Sequence, residues 1–563
     1  MTGGLRSSYF PYYLLPLLAG GNLGANPRGL KARVGFAPFD RAAGMLSTQP
    51  SSHHRGVQRK LGSGPPRSTP DEVRTFVRRY RRSSLLRAIG RAALAEGTDT
   101  RMGRHFPGPN ALAVALTQFG LADLARFALH FGNEHRDIDA DDNVVLQGMN
   151  LINGLDEPDL GPDADATTVG IYLMRLGAKQ FPVQTAIKPR MARTLLLFDR
   201  LPPSVVEASA YDIPKRFHDL TGITITQFVW VCFAISTLLQ TSPDIDLSAG
   251  IRHGLSLLDP LVNEETVLRT LPLISCTAEE FRASADIEAA GLVDPRQQHW
   301  AFNPLYTRPL VHLGGRRYIA PVPRLLIERM IDAPYFELLT ADGIEFTKPF
   351  GYVFQRYVGE LLRPFAGDRL RPELRYATDA RTADWSVFDL DGITQLEVKT
   401  GRLRKEAKTT GSAQVVLASL KTHYGQAARQ LYRVSQRIDQ VPDLASFRSK
   451  PLHSLIVLLD PINTINSPLF ADLRAEAKAV EKVPVDFEPQ IASVGAIEML
   501  APSLATRSLA DIYRAKISTA DHAFWDWDTY VRGQLPLVEH PLLSECFEEF
   551  IEPAERSRPH RPA

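Results

Sequence analysis

Residues 383–402 read ADWSVFDLDGITQLEVKTGR, and how this stretch folds decides how the rest of the chain is read. Two runs, 384–390 and 393–400, are rich in Val, Ile, Phe, Trp and Thr and flank Asp391-Gly392. That dipeptide between apolar runs is a strong short-range signal for a tight hairpin turn. A turn centred there places Asp384 opposite Lys399 and Ser386 opposite Glu397. Side chains alternate along a strand, so Asp384, Ser386, Glu397 and Lys399 are expected on one polar face and Trp385, Val387, Leu396 and Val398 on an apolar one.

Two carboxylates diagonal on neighbouring strands can share one hard divalent cation, which prefers oxygen ligands. The backbone carbonyl of Val398 offers a third ligand. Lys399 would stand beside the ion, holding or polarising the attacking water and offsetting charge on a scissile phosphate. The structural alternative is a surface hairpin with an ordinary cross-strand ion pair. Glu-x-Lys also occurs at Glu406-Lys408 and Glu476-Lys478, in polar or helix-like surroundings where such pairs are usually a solvated face. Only Glu397-Lys399 lies on an apolar-flanked strand whose partner carries its own Asp, and that context favours the catalytic reading.

Around the hairpin the pattern predicts a helix at Pro349–Leu362, a strand near Leu374–Thr378, a helix about Gln414–Ile438 and an apolar strand His453–Asp460. In this order, and with Asp384, Glu397 and Lys399 at these positions, the segment 349–461 resembles the PD-(D/E)xK nuclease superfamily. The resemblance implies a restriction-endonuclease-like αβββαβ core. It also implies Mg2+ or Mn2+ held by Asp384, Glu397 and the Val398 carbonyl, Lys399 as the motif lysine, and DNA as substrate. Two positions depart from the family pattern. Ala383 stands where the nominal motif has proline, and Gln355 in GYVFQRYV stands where many members have glutamate, which removes one charge; Glu360 is a substitute just over one turn further on. Gln426 and Gln430, spaced i,i+4 on one helix face, lie where similar members often place a glutamine near the active site; an exposed helix surface explains them equally well.

Composition sets wider bounds. The 563 residues are 44% apolar and 23% charged, as in a soluble globular chain of several domains. A net charge of +2 gives no global sign of a nucleic-acid partner. Locally, however, Gly401–Arg437 carries Arg402, Arg404, Lys405, Lys408, Lys421, Arg429, Arg433 and Arg437 against Glu406 alone. This basic segment directly follows Lys399 and is what a polyanion would need. Three scattered cysteines, Cys232, Cys276 and Cys546, argue for a reducing, cytoplasmic setting and exclude a four-cysteine iron–sulfur cluster supplied by this chain.

The expected class is α+β: a mostly α-helical N-terminal region, the nuclease-like core and a helical C-terminal extension. Residues 1–68 read as a disordered basic tail, whose apolar run Tyr9–Ala19 is broken by two prolines and too short to span a bilayer. Residues 69–335 read as a mostly helical domain with a connecting hairpin near 310–319, opening at Thr69-Pro70-Asp71-Glu72 with an N-cap, Pro at N1 and a capping glutamate. The nuclease-like domain takes 336–470 and the extension 471–563, with a strand at Ala492–Met499, a helix at Leu509–Arg532 and an aromatic cluster of Phe524, Trp525, Trp527 and Tyr530 that packs under the core. Ile223–Leu239 is short and carries polar residues, so a buried core helix is expected and no membrane partner. The acidic stretch from Asp137 lacks the Gly and Glu of a calcium loop. No Walker A motif is present, so no nucleoside triphosphate site is expected.

The resulting expectation is a metal-dependent DNA nuclease, in a setting of restriction, phage defence or repair, with a homodimer left open. The alternatives are a catalytically inactive nuclease-fold protein that binds nucleic acid and a helical interaction protein.

Overall fold

The computed structural model describes residues 67–98, 116–155, 157, 164–180, 186–248, 262–292, 294–377, 380–437 and 449–556. The expected N-terminal tail up to 66 lies outside them, as do the end of the Leu374–Thr378 strand, residues past 437 in the expected Gln414–Ile438 helix and residues after 556.

The first helix begins where local chemistry dictates. Thr69 caps Pro70–Val77, its hydroxyl accepting from the Glu72 N–H while Glu72 reaches back to the Thr69 N–H. Asp141 accepts the N–H of Val144 and caps Asp142–Asn153, so the acidic stretch is a helix start. Helices dominate as far as Leu238, and the run at Ile225–Leu238 is buried. Among the described residues no single helix is long and apolar enough to cross a membrane. The hairpin expected near 310–319 is present as β3 (Leu310–Gly314) and β4 (Arg317–Ile319), and β1 (Asp244–Asp246) and β2 (Ser275–Cys276) extend it to a sheet in the order β1-β4-β3-β2.

The second sheet carries the hairpin. It orders β5 (Leu370–Pro372), β8 (Trp385–Asp389), β9 (Gly392–Lys399), β10 (Leu452–Leu458) and β11 (Gln490–Ser493) as β11-β10-β9-β8-β5. Pairing is antiparallel across β5-β8-β9 and parallel across β9-β10-β11. The expected Leu374–Thr378 strand is present as β6 (Arg375–Ala377), but it pairs with β7 (Ala380–Arg381) outside the central sheet, whose edge is β5.

The hairpin register differs from expectation by two residues. Asp389 pairs with Gly392 and Trp385 with Leu396, so the turn is centred on Leu390-Asp391 and Asp384 comes level with Glu397 instead of Lys399. Tertiary contacts decide this. Gly392 does not take positive φ; a side chain there would strike Ala510 Cβ and the Pro451 carbonyl at 2.9 and 3.0 Å. Asp391 is held by Ser508 and Arg514. A slip of two preserves side-chain alternation, so the expected faces survive.

Both faces are covered. Trp385, Val387, Leu396 and Val398 join the largest core cluster. That core also takes residues from the helices α2 (Ile187–Phe198), α3 (Arg324–Asp342) and α4 (Ile344–Ala366); α1 (Ala166–Gln180) packs in the cluster on the other face. On the face shared with Glu397, Ile456 and Leu458 pack beneath α5 (Ala413–Leu420), α6 (Gln426–Gln436) and α7 (Ala471–Val480). The expected long helix is interrupted between α5 and α6 by a π turn, Lys421–Gly425.

The expected domain boundaries do not separate the packing. The one at 335/336 falls inside α3, and the extension supplies β11 to the central sheet. The strand expected at Ala492–Met499 ends at Ser493, which caps α8 (Val494–Leu500) by accepting from Ala496 N–H. The helix expected at Leu509–Arg532 is three, Leu509–Ile517, Ala520–Phe524 and Trp527–Gln534. In the aromatic cluster Trp527 and Tyr530 are buried as expected, whereas Phe524 and Trp525 are 42% and 36% exposed.

Candidate active site

Asp384 sits just before β8, where the ladder stops. Its Oδ2 accepts the backbone N–H of Val398 at 2.7 Å, which holds the carboxylate across the hairpin beside Glu397. The N–H and C=O of one strand residue point to the same side, so the Val398 carbonyl also faces Asp384, beyond the last paired residue of β8. Lys399 ends β9 and donates from Nζ to Glu397 Oε1 at 2.5 Å. Glu397 is fully buried, and its Oε2 has no hydrogen-bond partner.

Burial, then the like charge of Asp384, pushes the Glu397 carboxyl up to about 8, against the pull of Lys399. Burial raises Asp384 to about 6, opposed by Lys399 and the Val398 N–H. For Lys399 burial acts downward, but Glu397 and Asp384 outweigh it and hold the ammonium above its ordinary value. Both carboxyls are therefore held above the ordinary carboxylate range, so the pair gives up its protons less readily than free acids do, while Lys399 is charged.

Two neighbours escaped the sequence. Glu373, between β5 and β6, adds its charge to Asp384, Glu397 and Lys399 alike and is paired with Arg381 at 3.1 Å. His423, in the π turn, packs against Gly401; a Cβ on that glycine would lie 2.3 Å from His423 Nδ1. Burial lowers the His423 pKa, and Arg404 and Lys399 lower it further. Neither residue belongs to a spacing motif, and the π turn has no signature in hydrophobic periodicity.

Other expected residues are placed elsewhere. Gln355 lies on α4, over the apolar face, and meets the hairpin through its backbone carbonyl, which accepts from Trp385 Nε1 at 2.8 Å. Glu360 pairs with Arg356 at 3.4 Å, with side chains 41% and 38% exposed, so it forms a surface pair and does not replace the missing acid. Gln426 is exposed and lines a cavity; Gln430, one turn on, is not part of its wall. Half of the basic segment, four of its eight cations, is compensated. Arg402 pairs with Asp332 and Asp460, Lys405 with Glu288, Lys421 with Glu476 and Arg429 with Glu481. Arg404 and Arg433 are exposed, and Lys408 is partly buried.

The cavity, about 1660 Å3, opens at the carboxyl ends of β9, β10 and β11 and is walled by residues of α1, α2 and α3. Lys399 forms part of its wall, with Glu397 behind it.

The donor set suits a hard divalent cation. Two carboxylates stand together, one with a buried unpartnered oxygen, and a strand carbonyl faces the same side. Among the described residues no group of three or more His, Cys, Asp or Glu side chains is placed to hold a metal, so the remaining positions would fall to the carbonyl and to water. In comparisons with known proteins, no family model, no curated protein and no solved structure matches the chain.

Proposed function

We propose that this chain is a metal-dependent deoxyribonuclease that hydrolyses phosphodiester bonds at Asp384, Glu397 and Lys399. The observation that carries the reading is Glu397 Oε2: a fully buried carboxylate oxygen with no partner, next to a second carboxylate. Such an oxygen costs folding free energy unless a proton or a cation meets it. The order of α4, β5, the β8–β9 hairpin, α5–α6 and β10 agrees with the αβββαβ core of the PD-(D/E)xK superfamily, and supports the same reading.

Asp384, Glu397 and the Val398 carbonyl would hold Mg2+ or Mn2+. Bound there, the ion would acidify a water and neutralise charge on the phosphate. The protein's own part follows from the geometry. The Val398 N–H fixes the Asp384 carboxylate. Lys399, kept protonated by its acidic neighbours, acts by charge and hydrogen bonding and not as a base; its ammonium orients the water and faces the phosphate. The water oxygen bonds to phosphorus as the bond to the leaving oxygen breaks, and the proton the water loses passes through solvent to that oxygen, which departs as an alcohol.

Cleavage of plasmid and oligonucleotide by the wild type and Lys399→Ala, with Mg2+, Mn2+ or EDTA, tests the reading. Activity that needs the metal and falls by orders of magnitude in the variant supports it; equal activity in both rejects it. A second reading, a protein of this fold that binds nucleic acid without cutting it, draws on the lack of a third ligating side chain among the described residues. Absence of Mg2+ or Mn2+ binding in calorimetry would favour it.

A further inference from the structure

We infer that the DNA reaching Lys399 is single-stranded and lies along the cavity wall formed by the loop after β9. This rests on the nuclease reading and adds the form of the substrate. The cavity of about 1660 Å3 exceeds the roughly 300–1,000 Å3 that encloses a drug-sized ligand. It is far smaller than one turn of duplex, about 34 Å long and on the order of 10,000 Å3. A few unpaired nucleotides fit inside that space, whereas a duplex would lie across its opening.

The wall combines aromatic rings and cations with carboxylates, Glu288, Asp332, Glu337 and Asp460, that pair some of those cations. From Lys399 the chain runs through Thr400, Gly401 and Arg402 to Lys405, all lining the cavity. Arg402 lies over Tyr335 at 4.3 Å and over Phe336 at 5.1 Å, and Lys405 lies over Phe302 at 5.7 Å. Phe336 is 40% exposed, and Phe302 is partly so; both rings line the cavity. Arg404, exposed, and Lys408 line it too. Rings for base stacking alternating with cations for the backbone are what sequence-tolerant single-strand binding uses. Because Arg402 and Lys405 are already paired with carboxylates, the rings carry more of the recognition than net charge does. Duplex DNA, with its bases stacked inward, offers them nothing.

The full chain is tested by fluorescence anisotropy in EDTA with single-stranded DNA, blunt duplex DNA and single-stranded RNA of one sequence, using wild type, Phe302→Ala/Phe336→Ala and Arg404→Ala. Matched circular dichroism melts show that the variants fold. Single-stranded DNA is expected to bind about tenfold or more tighter than duplex. The double variant is expected to lose roughly tenfold or more on the single strand and little on duplex, and Arg404→Ala to flatten the salt dependence of single-strand binding. Equal or tighter binding of duplex or of RNA, or the same loss on every probe, overturns the inference. Cleavage in Mg2+ separates it from the reading beneath it. A closed duplex plasmid cut as fast as a single strand leaves the nuclease and removes the channel. Ring-dependent single-strand binding with no cleavage in Mg2+ or Mn2+ leaves the strand-binding wall and removes the nuclease.

Discussion

Val398 N–H donates to Asp384 Oδ2 at 2.7 Å, so the same carboxylate that faces Glu397 also ties off the open end of the hairpin. Binding chemistry and local structure are therefore separable by choice of substitution. Asp384→Asn keeps an acceptor for the Val398 N–H and removes the charge. Asp384→Ala leaves that donor unsatisfied, which costs roughly 1–3 kcal/mol. The expected outcome is that both variants lose divalent-cation binding in calorimetry. In chemical denaturation only the alanine variant loses that stability, the asparagine variant staying within about 1 kcal/mol of wild type.

Cation affinity should rise with pH. Carboxylates must lose their protons to bind a metal, and here Asp384 titrates at about 6 and Glu397 at about 8. Raised folded values mean that the native state holds more protons than the unfolded chain above the ordinary carboxylate range. Without metal, these groups therefore favour folding less and less as pH climbs through 8. Mg2+ should bind more tightly at pH 8.5 than at pH 5.5, release protons as it binds, and raise the melting temperature more at the higher pH. Calorimetry in two buffers of different ionisation enthalpy, paired with melts, reads all three. Affinity that is flat or falls with pH contradicts the assignment of these two ligands.

What could be read from the sequence was what local chemistry controls. The Thr69 capping box, the apolar strands and the polar and apolar faces of the hairpin all depend on neighbours in the chain, and all are present. The register was not legible, because it is chosen by Ala510, Ser508 and Arg514 meeting Gly392 and Asp391 from far along the chain. The same limit hid the compensation of the basic segment. Asp332, Asp460, Glu288, Glu476 and Glu481 come from elements whose placement no local pattern reveals. Glu373 and His423 reach the site through tertiary packing, so a motif search passes over both.

Arg402 and Glu360, both named from the sequence as site residues, should behave oppositely. The Arg402 side chain is 14% exposed, lies between Asp332 and Asp460 and packs on Tyr335. Arg402→Ala removes the cation and leaves both carboxylates, which retain some access to water, so roughly 2 kcal/mol of stability is expected to be lost. Glu360→Ala breaks an exposed i,i+4 pair and should change stability by less than about 0.5 kcal/mol, with cation binding unaltered. Denaturation and calorimetry on the two variants check this. A neutral Arg402→Ala would show that its pairing does not brace the loop after β9.

Gly401 joins Lys399 to the π turn, and its lack of a side chain is what permits the contact. A Cβ at this position would lie 2.3 Å from Nδ1 and 2.4 Å from Cγ of His423, closer than atoms can approach, so ring or loop must shift. His423 is partly buried and cannot swing freely away. Gly401→Ala should therefore cost roughly 1–3 kcal/mol and displace the strand end that carries Lys399. If the clash is the cause, removing the ring removes it. Gly401→Ala/His423→Ala should then be more stable than the sum of the single variants by about 1 kcal/mol or more, and should regain part of any cleavage activity lost in Gly401→Ala. A strictly additive pair would mean that the glycine is needed for some reason other than the His423 ring.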